Sequence, residues 1–203
     1  MKKANNDQLS KNFWLYEFLR SNTASKLGGE VLEQQFNPSQ EIIANIKHHV
    51  KSTLQKARDF FGIGINLNSG LRMPKLNEAV GGSPTSQHCL GEASDKELAN
   101  ELFNPDNEKA AAAKRTIEGL VQSITGKKLR KDCNANFYLF AYLCIYRYEL
   151  DIDQVIHEYG EDGAPDWIHS ASSLRRNKRE ILIKRSGEGY IKLNLKQALL
   201  LGC

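Results

Sequence analysis

Three side chains able to hold a divalent cation stand in order along this 203-residue chain: His88 and Asp95 in SQHCLGEASD, and His169 in PDWIHS. Two neutral imidazoles and a carboxylate suit Zn2+, which takes nitrogen and oxygen ligands in a tetrahedral arrangement. Three protein ligands leave a fourth position open. An open position marks a catalytic rather than a structural zinc, because the ion makes water acidic enough to attack near neutral pH. A closed site would need Cys89, but the neighbour of a ligand points the other way in extended chain, so Cys89 reads as a packing residue. Hydrolysis at such a centre also requires a base. Asp166, three residues before His169 and pinned by Pro165, is the favoured candidate, and Glu158 on the preceding strand is its rival.

The spacing makes a demand on the backbone. Residues seven apart face opposite sides of a straight strand, so His88 and Asp95 converge only if the chain bends between them. Gly91 can supply that bend, since glycine tolerates backbone angles closed to other residues. Beyond it Ala93 and Asp95 share a face, and the small side chains leave room for an ion.

The elements that must carry these residues follow from periodicity and punctuation. An aromatic-rich short helix is expected over 12–21. A longer one is expected over 39–62, capped by Ser39, stopped by Gly62 and buried along Ile43, Ile46, Val50, Leu54, Ala57 and Phe61. His48 and His49 within it read as surface histidines. Residues 63–72 alternate as a strand, and a Pro- and Gly-punctuated loop leads into the histidine motif. From Lys96 the chain reads as helical: a short DKELANELF helix, a longer one with Asp106 near its start and Gly126 at its stop, and an apolar helix over 134–150. Residues 152–160 and 166–172 read as strands, and 179–194 as a hairpin around Gly187. The sum is a single α+β domain over 1–203, with a small, mainly antiparallel sheet carrying the site and helices flanking it. Its parts are N-terminal helices (12–62), a metal-site core (63–172) with a helical insertion (96–150), and a basic segment with the hairpin (173–203).

Composition narrows the partners. A net charge of +4 favours an anionic one, but the basic runs GKKLRK and LRRNKR lack the interleaved aromatics of a single-strand binder, so no nucleic acid is expected. No apolar run is long enough to span a membrane. MKKANNDQLSKN has no apolar stretch behind its lysines, so no secretory signal is expected, and action on a cell wall would follow lysis or delivery. The four cysteines form no framework and read as free thiols.

SQHCLGEASD resembles the SxHxxGxAxD signature of the zinc D-Ala-D-Ala peptidases and phage L-alanyl-D-glutamate endopeptidases, which share the hedgehog/D-Ala-D-Ala peptidase fold. Asp166-Trp167-Ile168-His169 is similar to their [DE]xxH motif, and SGLRMPKLNEAVGG to the SGYRxxxxNxxVGG segment before the first motif, with Leu71 in place of the usual aromatic. FWLYEFLRSNTA and DQVIHEYG fit the prophage-type branch. The resemblance implies zinc on His88, Asp95 and His169, and Asp166 as general base. It implies Arg72 facing the charge of the substrate or of the developing oxyanion, and Ser86 supporting the substrate or the ligand loop. The implied reaction is hydrolysis of a peptide bond in the peptidoglycan stem, as a carboxypeptidase or an endolysin-like endopeptidase. A phage or injection device becomes a candidate partner. The alternative is a zinc-containing module on the same fold that binds cell wall or protein without cutting. The 96–150 helices, long for a compact member, are candidates for a lid or a partner surface.

Overall fold

The protein is described by a computed structural model covering residues 7–203. A small ribbon of β1 (Gln8–Ser10) and β2 (Phe13–Trp14) leads into three short helices, α1 (Leu15–Leu19), α2 (Asn22–Leu27) and α3 (Gly29–Gln35). Then come α4 (Gln40–His49) and α5 (Gln55–Phe61), joined through a π-helical turn at Val50–Leu54 into one long helix. β3 (Ile65–Ser69), α6 (Pro74–Ala79), a 3-10 turn at Gln87–Leu90 and β4 (Ala93–Leu98) follow. After a second 3-10 turn at Asn100–Phe103 come α7 (Glu108–Thr125), α8 (Ala135–Ile145), β5 (Ile152–Glu158), β6 (Trp167–Ser172), β7 (Glu180–Lys184), β8 (Tyr190–Leu193) and α9 (Leu195–Leu200).

The main sheet has the order β3-β4-β6-β5-β7-β8. Its pairings are antiparallel except β5 with β7, so the fold is α+β with a mainly antiparallel sheet. The register sets Asp95 directly opposite His169, Ile156 opposite His169 on the other side, and Glu158 opposite Trp167. Because side chains alternate along a strand, Asp95, Trp167, His169, Ile156 and Glu158 share one face. The other face meets the core. There α8 packs across β4, β5 and β6, and every residue from Ala135 to Cys144 is buried. That explains its unbroken apolar sequence: a helix covered on all sides has no need of a polar stripe.

Several local signals act as expected. The Ser39 hydroxyl accepts the Ile42 N–H at 3.3 Å, and Gly62 ends the long helix in the left-handed region at φ 71°. Gly126 stops α7 in the same way, and β7 and β8 form the expected hairpin.

Other expectations are corrected. Lys96 does not begin a helix but lies inside β4, since pairing with both β3 and β6 outweighs the helix propensity of DKEL. Phe13 and Trp14 are ribbon strand rather than helix, and Asn107, not Asp106, caps α7 by accepting the Ala110 N–H at 3.1 Å. The 134–150 helix ends at Ile145. His49 is fully buried, not on the surface: its ring bonds Ser94 Oγ at 2.9 Å and Ser172 Oγ at 3.3 Å, behind the sheet. The 96–150 helices form no lid. α7 and α8 build the core, and no residue from 96–150 lines the site cavity described below.

Candidate metal centre

His88 sits on the 3-10 turn Gln87–Leu90, whose first N–H groups are steadied by Ser86, the hydroxyl of which accepts the His88 N–H at 3.3 Å. Gly91 then reverses the chain at φ 71°, the bend the sequence required. A Cβ there would stand 2.8 Å from the Ile42 carbonyl, so the position needs glycine for close approach as well as for its backbone angle. Asp95 and His169 arrive from neighbouring strands, and the three side chains meet. His88 Nε2 is 3.1 Å from Asp95 Oδ1 and 3.2 Å from His169 Nδ1, and His169 Nδ1 is 2.9 Å from Asp95 Oδ1. Tetrahedral bonds of about 2.0–2.1 Å set donors about 3.3 Å apart. Among the described residues these three form the one cluster of histidine, cysteine and acidic side chains able to share an ion, and Cys89 is outside it.

The chemistry of the donors also fits a cation. His88 Nδ1–H donates to the Gly70 carbonyl at 2.6 Å, which turns Nε2 toward Asp95 Oδ1. On a neutral ring Nε2 is an acceptor facing another at 3.1 Å, and a positive charge there, an ion or a proton, removes the repulsion. Burial alone would raise the Asp95 carboxyl, but positive charge on the facing His88 and His169 rings and hydrogen bonds from them hold it well below the usual carboxylate range, the direction in which a bound cation would also act. Burial likewise lowers His169, keeping its ring neutral and able to ligate.

The cluster lies at a cavity of about 890 Å³, which Arg72, Ser86, Glu158, Trp167 and Tyr190 also line. Arg72 Nη2 donates to Asp95 Oδ2 at 3.2 Å, while its Nε is buried without a partner. Glu158 accepts from the Trp167 indole N–H, and burial raises its carboxyl above the ordinary glutamate range. Asp166 lies elsewhere. It is exposed, its N–H donates to the Glu158 carbonyl at 3.2 Å, and its carboxylate stands beside Gly160, outside the cavity lining. An odd separation from His169 turns it away from the ligand face. The structure thus brings together His88, Asp95, His169, Arg72, Ser86 and the rival base Glu158, and leaves Asp166 apart.

Sequence reasoning missed Gln87, Asp153, Glu92 and Arg176, which form a bonded group beside the His88–Asp95–His169 cluster. The one signal was for Asp153, an acidic residue beside the apolar Ile152, Val155 and Ile156 of a strand.

Compared with known proteins, the chain matches the family model described as Peptidase M15 over residues 12–124, a span that includes Arg72, Ser86, His88 and Asp95. No curated protein and no solved structure matches it.

Proposed function

This chain belongs to the Peptidase M15 family, and we propose that it is a zinc peptidase that cuts a peptide bond of the peptidoglycan stem, with the ion held by His88, Asp95 and His169. The observation that carries the reading is the convergence of those three donors within 3.2 Å of one another, with a carboxylate of raised basicity on the same sheet face. Zn2+ bound there would polarise the scissile carbonyl and acidify the attacking water.

The remaining chemistry belongs to side chains. Glu158, rather than the sequence-favoured Asp166, takes the proton from water and passes it to the departing amine nitrogen, since Glu158 lines the cavity and Asp166 does not. The Trp167 indole holds one Glu158 oxygen and leaves the other to work. Arg72 lines the same cavity with its buried Nε unpartnered, and a guanidinium is shaped for a substrate carboxylate or an oxyanion. Ser86 keeps the His88 turn in place.

Mass spectrometry of purified muropeptides, before and after incubation with the zinc-loaded protein, tests the reading. New amine- and carboxyl-terminated fragments that vanish with a chelator and return with zinc are expected. A folded protein carrying one zinc that binds sacculi but releases no fragment refutes the peptidase and favours a binding module.

A further inference from the structure

Gln87 touches both a ligand and the core, and the chemistry above gives it no part. Its Nε2 donates to Asp153 Oδ2 at 2.6 Å, and its Oε1 accepts from His169 Nε2 at 3.4 Å. Asp153 is 1% exposed, and two further N–H groups reach it, Arg176 Nε at 3.2 Å and the Lys178 backbone at 2.8 Å. It occupies a β-bulge, where Ile152 opposes Ser172 and Gln154 opposes the adjacent Ala171. Bulges re-aim side chains beside active sites. Arg176 is anchored in turn by Glu92, its Nη2 donating to Oε2 at 2.7 Å.

An amide has nearly the same shape either way round, so its orientation follows from its partners. With the Arg176 guanidinium and the Lys178 backbone N–H aimed at it, Asp153 is an acceptor. Turning the Gln87 amide over would set two oxygens 2.6 Å apart. The Gln87 carbonyl therefore faces His169, and a carbonyl only accepts. A neutral His169 ring with a cation beside Nδ1, in place of the proton that Asp95 Oδ1 at 2.9 Å would otherwise draw there, carries its hydrogen on Nε2, toward Gln87. His88 is held in the opposite sense, with Nδ1–H on the Gly70 carbonyl. We propose that Gln87, its amide locked by Asp153, is the positioning residue that makes His169 ligate through Nδ1. This rests on the reading of His169 as a metal ligand.

The test uses the full chain, zinc and 15N-labelled histidine. In the zinc-loaded wild type, His169 should show Nδ1 as the metal-bound nitrogen and Nε2 as protonated. Gln87→Leu should weaken zinc binding about 10- to 100-fold in chelator competition, the usual cost of losing such a partner. The His169 Nε2–H resonance should move upfield and exchange faster with solvent. Asp153→Asn should weaken zinc binding in the wild-type background and add no further loss on top of Gln87→Leu. If Asp153→Asn does not fold, the Gln87→Leu resonance and affinity decide alone. Zinc affinity within twofold of wild type in Gln87→Leu overturns the proposal, as does lost affinity with an unmoved Nε2–H resonance. A wild type with the stated His169 signature that leaves muropeptides intact refutes the peptidase and leaves the role of Gln87 standing. A protein that takes up no zinc overturns both.

Discussion

Exchanging Glu158 for glutamine keeps the size of the side chain and removes its ability to accept a proton. Glu158 opposes Trp167 across β5 and β6, on the sheet face that carries His169, and lines the cavity with the three candidate ligands. A positioned general base contributes about 10²–10⁴-fold, equivalent to about 3–5.5 kcal/mol at about 1.4 kcal/mol per decade. Glu158→Gln should therefore lose about 10²–10⁴-fold in kcat/KM while still binding one zinc, because it is not a ligand. Asp166→Asn, exposed and beside Gly160, should stay within about threefold, in the range of surface substitutions away from special features. The pH profile adds an independent sign. The base works deprotonated, and burial raises Glu158, so the acidic limb of kcat/KM should lie above the pH at which an ordinary glutamate titrates. Steady-state hydrolysis of a purified muropeptide, with zinc measured in each variant, reads all three effects. If Asp166→Asn loses a hundredfold while Glu158→Gln keeps most of its turnover, the assignment from strand register is wrong.

Trp167→Phe removes the indole donor that favours ionised Glu158, so the acidic limb should move to still higher pH with the plateau rate little changed, as read from the same profile. Arg176→Ala leaves the buried carboxylates of Glu92 and Asp153 without their shared counter-ion. The guanidinium is partly exposed and other donors remain, so the cost should be about 2–3 kcal/mol rather than the ~3–5 of a fully buried pair. Calorimetry should show Tm lower by about 5–10 °C, and a fall under about 2 °C would mean the group adds little. Lys96 is fully buried with its Nζ on Ser170 Oγ at 2.6 Å, and burial lowers its pKa to about 7. The unfolded chain then binds the extra proton, so urea stability of the zinc-free wild type should rise as pH climbs from about 7 toward the ordinary lysine range. Lys96→Met should be more stable at pH 7 and flatter across that window, and an unchanged slope would contradict the neutral amine.

What could be read along the chain was local. The candidate ligand types, the bend at Gly91, the Ser39 cap, the Gly62 and Gly126 stops and the closing hairpin each depend on a few neighbouring residues. Asp166 was favoured for its place after Pro165, yet three residues from His169 is the opposite face in extended chain, a parity also present in the sequence. Strand register was decided only in the folded chain. It sets Glu158 across from Trp167, draws Lys96 into a sheet edge to edge with β3 and β6, and buries His49 against Ser94 and Ser172. The bulge at Asp153 joins Gln87 to Arg176, 89 positions later in sequence. Local pattern determines which residue types can ligate, turn or cap. Which face a side chain takes, and which distant partner neutralises it, follows from pairing and packing among strands that lie far apart along the polymer.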